Sequence, residues 1–216
     1  VSTSQATEEL LDRLQIRELV DNWAIHRDNR DWTRFLNVWH EDGAMMTTWG
    51  GRASPRQFIE AATRGFEHGD RMLHSIGGVN VTVSGDRAIA LSKLRIMQRG
   101  LVEGVCCDVT CIGINFDFFE RRDDRWGLVL RQPVYERDYL APTDPATGVT
   151  LDPEILARRP EGYQRLAYLQ EGLGYTIKAD MPTETGAERD ALVAAGEQWL
   201  AGQALNWPRV TAAAPR

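Results

Sequence analysis

Over residues 7–26 the apolar positions Leu10, Leu11, Leu14, Leu19, Val20 and Trp23 return near a 3.6-residue period, which predicts an amphipathic helix. Thr7 stands where a cap is needed, with Glu8 and Glu9 in the first turn. DWTRFLNVWHEDG reads as a second helix, from an N-cap at Asp31 through Phe35, Leu36 and Trp39 to an end at Gly43. AMMTTWGG follows as a short strand and glycine turn, and Ser54–Pro55 opens a third helix carrying Phe58, Ile59 and Ala62. The pattern then changes to long strands with mixed faces. MLHSIGGVNVTVS and RAIALSKLRIMQR are joined by the turn SGDR, and VCCDVTCIGINFDFFERR and RWGLVLRQPVYERDYL by RDDR. Such strands suit a curved antiparallel sheet with one face on a core. Glycines within IGGVN and IGINF read as bulges that bend it. After the break APTDPATGVTLDP, residues 152–203 keep a helical pattern interrupted by GLGY and DMP. Helices, a bent sheet and a helical arm make an α+β chain.

Composition narrows the partners. The chain has 216 residues, 43% hydrophobic and 26% charged, ordinary for a globular protein able to bury a core without staples. A net charge of −6 and the lack of a basic run argue against nucleic acid and acidic membrane surfaces. Apolar runs fall well short of the roughly 20 residues of a membrane span. The start, VSTSQATEELLDRL, has acids where a secretory leader has basic and apolar residues. Cys106, Cys107 and Cys111 are an odd set without paired CxxC spacing, so a reduced cytoplasm is the expected compartment.

Four polar residues interrupt apolar surroundings. In HRDNRDW, Asp28 follows Ala24 by one helical turn and can lean inward, while Arg27, Arg30 and Asp31 are expected to stay in water. His74 lies in RMLHSIGG between Leu73 and Ile76, and an imidazole is the natural proton shuttle near neutral pH. Asn115 breaks the apolar strand IGINF, and Arg131 breaks LVLRQPV. A buried guanidinium requires a carboxylate or an anionic substrate group, so a plain cross-sheet ion pair is an open alternative for Arg131. His26, His40, His68 and His74 share no metal-binding spacing, and neither a GxSxG, a GxGxxG nor a P-loop occurs. Cys107 and Cys111 on a strand read as small hydrophobes. No metal or organic cofactor is expected.

Three stretches together resemble the SnoaL-like branch of the nuclear transport factor 2-like superfamily: RDNRDWTRFLNVWHEDG, LHSIGGVNVTV and FFERRDDRWGLVLR. The likeness covers residues 8–141 and leaves 142–216 as a C-terminal helical extension. It implies a cone, a curved sheet with helices closing a deep apolar pocket. It also implies an Asp–His pair, which falls on Asp28 and His74. Among family members, the dehydrochlorinase acting on hexachlorocyclohexane places an arginine five residues after the hairpin Trp, here Arg131 after Trp126. Scytalone dehydratase places a substrate-holding asparagine eleven residues before that Trp, here Asn115. Trp23 stands where the dehydrochlorinase has a lysine, Arg27 where scytalone dehydratase has a tyrosine. Trp49 is nearest to that enzyme's substrate-polarising tyrosines.

The resemblance implies a lyase on a small hydrophobic, aromatic molecule, expelling water, halide or formaldehyde, with lignin-derived diaryl compounds among the candidates. An isomerase or cyclase using the same pair, and a non-enzymatic binding or assembly protein, are the alternatives. A trimer or dimer is expected, with Tyr163, Tyr168 and Tyr175 of the arm packing as part of an oligomer interface, and closure of the pocket mouth or reach to a neighbouring subunit as their alternatives.

Overall fold

The computed structural model describes residues 3–207. One six-stranded sheet carries it, in the order β2-β1-β6-β5-β4-β3. The four long strands are β3 (Arg71–Ser84), β4 (Arg87–Val102), β5 (Val105–Arg122) and β6 (Arg125–Pro142), joined as consecutive hairpins. Asp123 and Asp124, with φ of 49° and 58°, make the tight turn read from RDDR. β1 (Trp39–Thr47) runs parallel to β6 and pairs antiparallel with the short β2 (Gly51–Ala53). Register shifts at Ile76/Val79, spanning Gly77 and Gly78, and at Ile112/Gly113 curl the sheet, as the two glycine motifs predicted. At Gly113 an added Cβ would lie 2.0 Å from the Val134 carbonyl, so only glycine permits that backbone approach.

Three N-terminal helices cover one end of the concave face. α1 (Thr3–Asp28) begins before Thr7, which therefore lies inside the helix rather than capping it. Of the expected stripe Val20 and Trp23 are buried, but Leu10, Leu11 and Leu14 are not. Ile16, Val20, Trp23 and Ala24 are buried, and Asp12 on the same side accepts from the Trp126 indole at 2.8 Å and from Arg121 at 3.0 Å. Leu10, Leu11, Leu14 and Ile25 point outward, each more than half exposed. Both stripes have helical periodicity, and the sheet end presents Trp126 and Arg121 to the one holding Asp12. α2 (Trp32–Leu36) is capped by Asp31 as expected but ends at Asn37. Trp39 and His40 belong to β1, because Trp39 pairs with Leu128, and Gly43 sits at a bulge before Ala44 instead of ending a helix. α3 (Pro55–Glu67) starts with a full capping box of Ser54 and Gln57, with Pro55 in its first turn.

The C-terminal arm shares the core of the sheet. α4 (Pro153–Leu156) is a single turn. α5 (Gln164–Gly172) buries Leu166, Ala167, Tyr168 and Leu169 over the other end of the concave face, near Cys107, Val109 and Cys111. α6 (Ala187–Leu200) packs outside on Ile89, Phe116 and Phe118 through Leu192, Ala195 and Trp199. Tyr163 is fully buried inside this same chain, with its hydroxyl donating to the Lys178 carbonyl at 2.9 Å. No helix among the described residues is long and apolar enough to cross a membrane.

Candidate functional site

Between the helical cover and α5 lies a narrow chamber, lined by Trp23, Trp49, His74, Asn115 and Arg131, and by apolar residues including Met45, Leu94 and Ile96. The curl of the sheet brings these residues together from α1, β1 and the turn after it, β3, β4, β5 and β6. Asp28 supports the site from behind His74.

Asp28 is the last residue of α1, one turn beyond buried Ala24, and this points its carboxylate at β3. Its Oδ2 accepts from the His74 backbone N–H at 2.6 Å, and its Oδ1 bonds the ring Nδ1 at 2.9 Å. A carboxylate can only accept, so Nδ1 carries the proton and Nε2 is the basic nitrogen. Trp23 meets the imidazole edge-on with ring centroids 5.2 Å apart. Burial pushes the His74 pKa down to about 4. The hydrogen bond and charge of Asp28 oppose this, while Arg27 and Arg131 reinforce it. For Asp28, burial works against the charged form, but the bonds from His74 and the nearby Arg27 outweigh it and hold the carboxyl below its usual range. The pair is therefore a carboxylate with a neutral imidazole at neutral pH.

Arg27 is a correction to the sequence reading. It is buried, not in water: its Nη1 donates to Asp28 Oδ1 at 3.0 Å and to the Met72 carbonyl at 3.1 Å, and its guanidinium lies over Phe66. Burial lowers its pKa against the pull of Asp28. The partner for Arg131 is Asp117, its direct cross-strand neighbour, which accepts from Nε at 2.9 Å and from Nη2 at 2.6 Å. Arg131 Nη1 is buried without a partner, and the guanidinium rests 4.4 Å over the Trp23 ring. The Asn115 amide donates to Ser92 Oγ at 3.3 Å. Trp49 is stacked on Phe58 and leans on Tyr175.

Asp28, His74, Trp23, Trp49, Asn115 and Arg131 thus converge on one cavity and its support. The sequence reading missed Thr48, Tyr135, Leu166 and Gln170 on its wall. Asp117 was within reach of that reading, since it follows Asn115 by two on the same face and a buried Arg131 demanded an acid. Leu166 and Gln170 had no such signal, because nothing in the pattern of α5 says which end of the sheet it covers. Burial pushes the Cys107 and Cys111 thiols up, which suits small hydrophobes rather than nucleophiles. Among the described residues no group of His, Cys, Asp and Glu is arranged to hold a metal ion.

A family model for the SnoaL-like domain matches residues 8–132. The chain belongs to the SnoaL-like domain family. A PEP2-like protein of Fusarium vanettenii is 34% identical over 91% of this chain and 89% of its own. The fold is also that of a hexachlorocyclohexane dehydrochlorinase from Novosphingobium barchaimii (20% identity, TM-score 0.55, covering 68% of this chain and 99% of that one). A putative scytalone dehydratase from Novosphingobium aromaticivorans shares it at 16% identity and TM-score 0.52, over 67% of this chain and 99% of that one. The cone of this SnoaL-like chain is the nuclear transport factor 2-like fold, and the arm from α4 to α6 follows the matched segment.

Proposed function

We propose that this SnoaL-like protein is a lyase that uses His74 as general base on a small hydrophobic molecule, with Asp28 orienting the imidazole. The observation that carries the reading is the Asp28–His74 bond at 2.9 Å on the wall of an apolar chamber, beside the unpartnered Nη1 of Arg131. His74 Nε2 takes a proton from the substrate, and the charge of Asp28 stabilises the imidazolium that results. When that proton comes from carbon, the electron pair left behind expels halide from the adjacent carbon, or hydroxide that departs as water with the proton His74 has taken. When it comes from a hydroxymethyl O–H, the C–C bond breaks, formaldehyde departs, and the carbon that keeps the electron pair takes the proton back from His74. Arg131 Nη1 and the Asn115 amide hold the oxygen or halogen on which negative charge develops. Because Asp117 already neutralises Arg131, this donor suits a neutral substrate whose charge appears only during reaction. Side chains alone supply every step. The similarity in fold to a dehydrochlorinase and a putative scytalone dehydratase supports this class of reaction.

Mass spectrometry of the protein with aromatic diols and diaryl propanes tests the reading. Loss of water or formaldehyde with wild type, absent with His74→Ala, is the expected result. An isomer of unchanged mass formed only by wild type would instead assign proton transfer without elimination. Unaltered substrate throughout would remove the lyase reading. The oligomer belongs to the same proposal: the outward α1 residues Leu10, Leu11 and Leu14 form an apolar surface for association, and sedimentation as a monomer would remove that part.

A further inference from the structure

The dyad chamber has room for about one or two waters and not for an aromatic ring, so a ring reaches His74 only after a wall moves. Most of its walls are fixed. Met45, Leu94, Asn115 and Arg131 stand on strands paired within the sheet. α5 is pinned at both ends. Asp138 Oδ2 accepts from the Arg165 and Leu166 backbone N–H groups at 2.6 and 2.8 Å, while Gln170 bonds Thr48 at 2.7 Å and Gln98 at 3.0 Å. Trp49 differs. It lies on the turn between β1 and β2, just before Gly50 and Gly51, the latter with φ of 60°. Its half-buried indole is held by two ring contacts, stacked on Phe58 at 5.9 Å and tilted on Tyr175 at 5.8 Å.

Trp49 is also part of the partition between the dyad chamber and a second space with room for about one water. Across that space Tyr175 is itself tied down. Its hydroxyl donates to Asp70 Oδ2, and the two meet over Gly65, where a Cβ would lie 2.8 Å from Asp70 Oδ2 and 3.0 Å from Tyr175 Oη. Tyr175 follows Gly172 and Gly174, the second with φ of 91°, so the chain before it turns at little steric cost once that bond opens.

We propose that Trp49 is the gate of the dyad chamber and the Tyr175–Asp70 bond its latch. When the latch opens, the indole leaves Phe58, the two spaces join, and an aromatic ring passes to His74. Trp49 thereby sets the size of molecule admitted. This inference rests on the dyad chamber being the reacting site, as proposed above.

Diethyl pyrocarbonate, which acylates neutral imidazole, tests the gate without any turnover. Peptide mass spectrometry of the full chain at pH 7 reads each histidine separately, and His74 is neutral there with Nε2 free. His68 is exposed and reports the reagent, whereas His40 is buried with both ring nitrogens bonded and reports unfolding. In wild type His74 should react more slowly than His68. In Tyr175→Phe it should react about tenfold faster than in wild type, the worth of a hydrogen bond to a carboxylate, with His40 and His68 unchanged. Trp49→Ala should be faster still. Wild-type His74 reacting as fast as His68, no acceleration in Tyr175→Phe or in Trp49→Ala, or His40 rising together with His74 would each overturn the gate. Absence of lyase products in the assay above would remove the lyase reading and leave these rates as they are, so the two failures are read separately.

Discussion

Behind the His74 wall of the chamber Asp28 divides its two oxygens among three donors and keeps 14% of its side chain exposed. Behind the Arg131 wall, Asp117 gives both oxygens to Arg131 and is fully buried. The first arrangement leaves the imidazole its free nitrogen and a proton that can come and go. The second holds Arg131 in position, with one N–H to spare. A base must titrate and a donor must not, so one cavity needs both kinds of wall.

The sharpest way to break this contrast is to remove the titrating side. His74→Ala and Asp28→Asn are each expected to lower turnover by about three orders of magnitude, measured by product formation on a folded variant. Wild-type rates in either would end the mechanism.

The fixed side should answer in stability. Asp117→Leu strands a buried guanidinium and is expected to cost about 3–5 kcal/mol in urea unfolding, whereas Asp117→Leu with Arg131→Met should recover most of that loss. A single variant as stable as wild type would show that Asp117 and Arg131 do not depend on one another.

These two walls were unequally legible in the sequence. The strands, their turns and the two glycine bulges could be read because alternation, Asp–Asp turns and paired glycines are local signals. Asp28, His74, Asn115 and Arg131 stood out as polar interruptions of apolar runs, and the resemblance placed them in one pocket. Arg27 was misplaced because a helix terminus allows several side-chain directions, and only Phe66 and the Met72 carbonyl decide which one is taken. Only the N-terminal half of the α1 stripe differs, for a related reason: Val20 and Trp23 are buried as expected, but Leu10, Leu11 and Leu14 have the right period and yet the sheet end offers Trp126 and Arg121 to Asp12 instead. Leu166, Gln170 and Tyr175 reach the chambers only through the long return of the arm, and no local pattern encodes that.

The titrating wall should also be visible in stability against pH. An exposed imidazole has a pKa of about 6.5, and His74 in the fold has one of about 4. Between these values the unfolded chain binds a proton that the folded chain refuses. Stability is then full above the upper value and falls as pH drops toward the lower, by up to roughly 3 kcal/mol. Asp28, held below its usual range, adds its own loss only below about pH 4. Urea titrations between pH 4 and 7 should show this slope in wild type and a much flatter one in His74→Ala. An equal slope in both would mean that His74 titrates alike in the folded and unfolded chains.

The smallest effect separates Arg27 from both walls. Arg27 bonds the same Asp28 oxygen that orients His74, so it resembles the fixed wall in geometry while acting on the titrating one. The charges facing His74 are Asp28 and Arg27 from α1 and Arg131 from β6. Removing one of two cations favours the imidazolium, and removing it also withdraws a donor from Asp28. For Arg27→Met the His74 ring, followed by NMR, should titrate about one pH unit higher than in wild type, and Arg27→Lys should restore part of the difference. The acid limb of kcat/KM should move in the same direction. If Arg27 only tied α1 to β3, Arg27→Met would lower stability and leave both midpoints where they are, and the comparison would reduce to two walls with Arg27 serving neither.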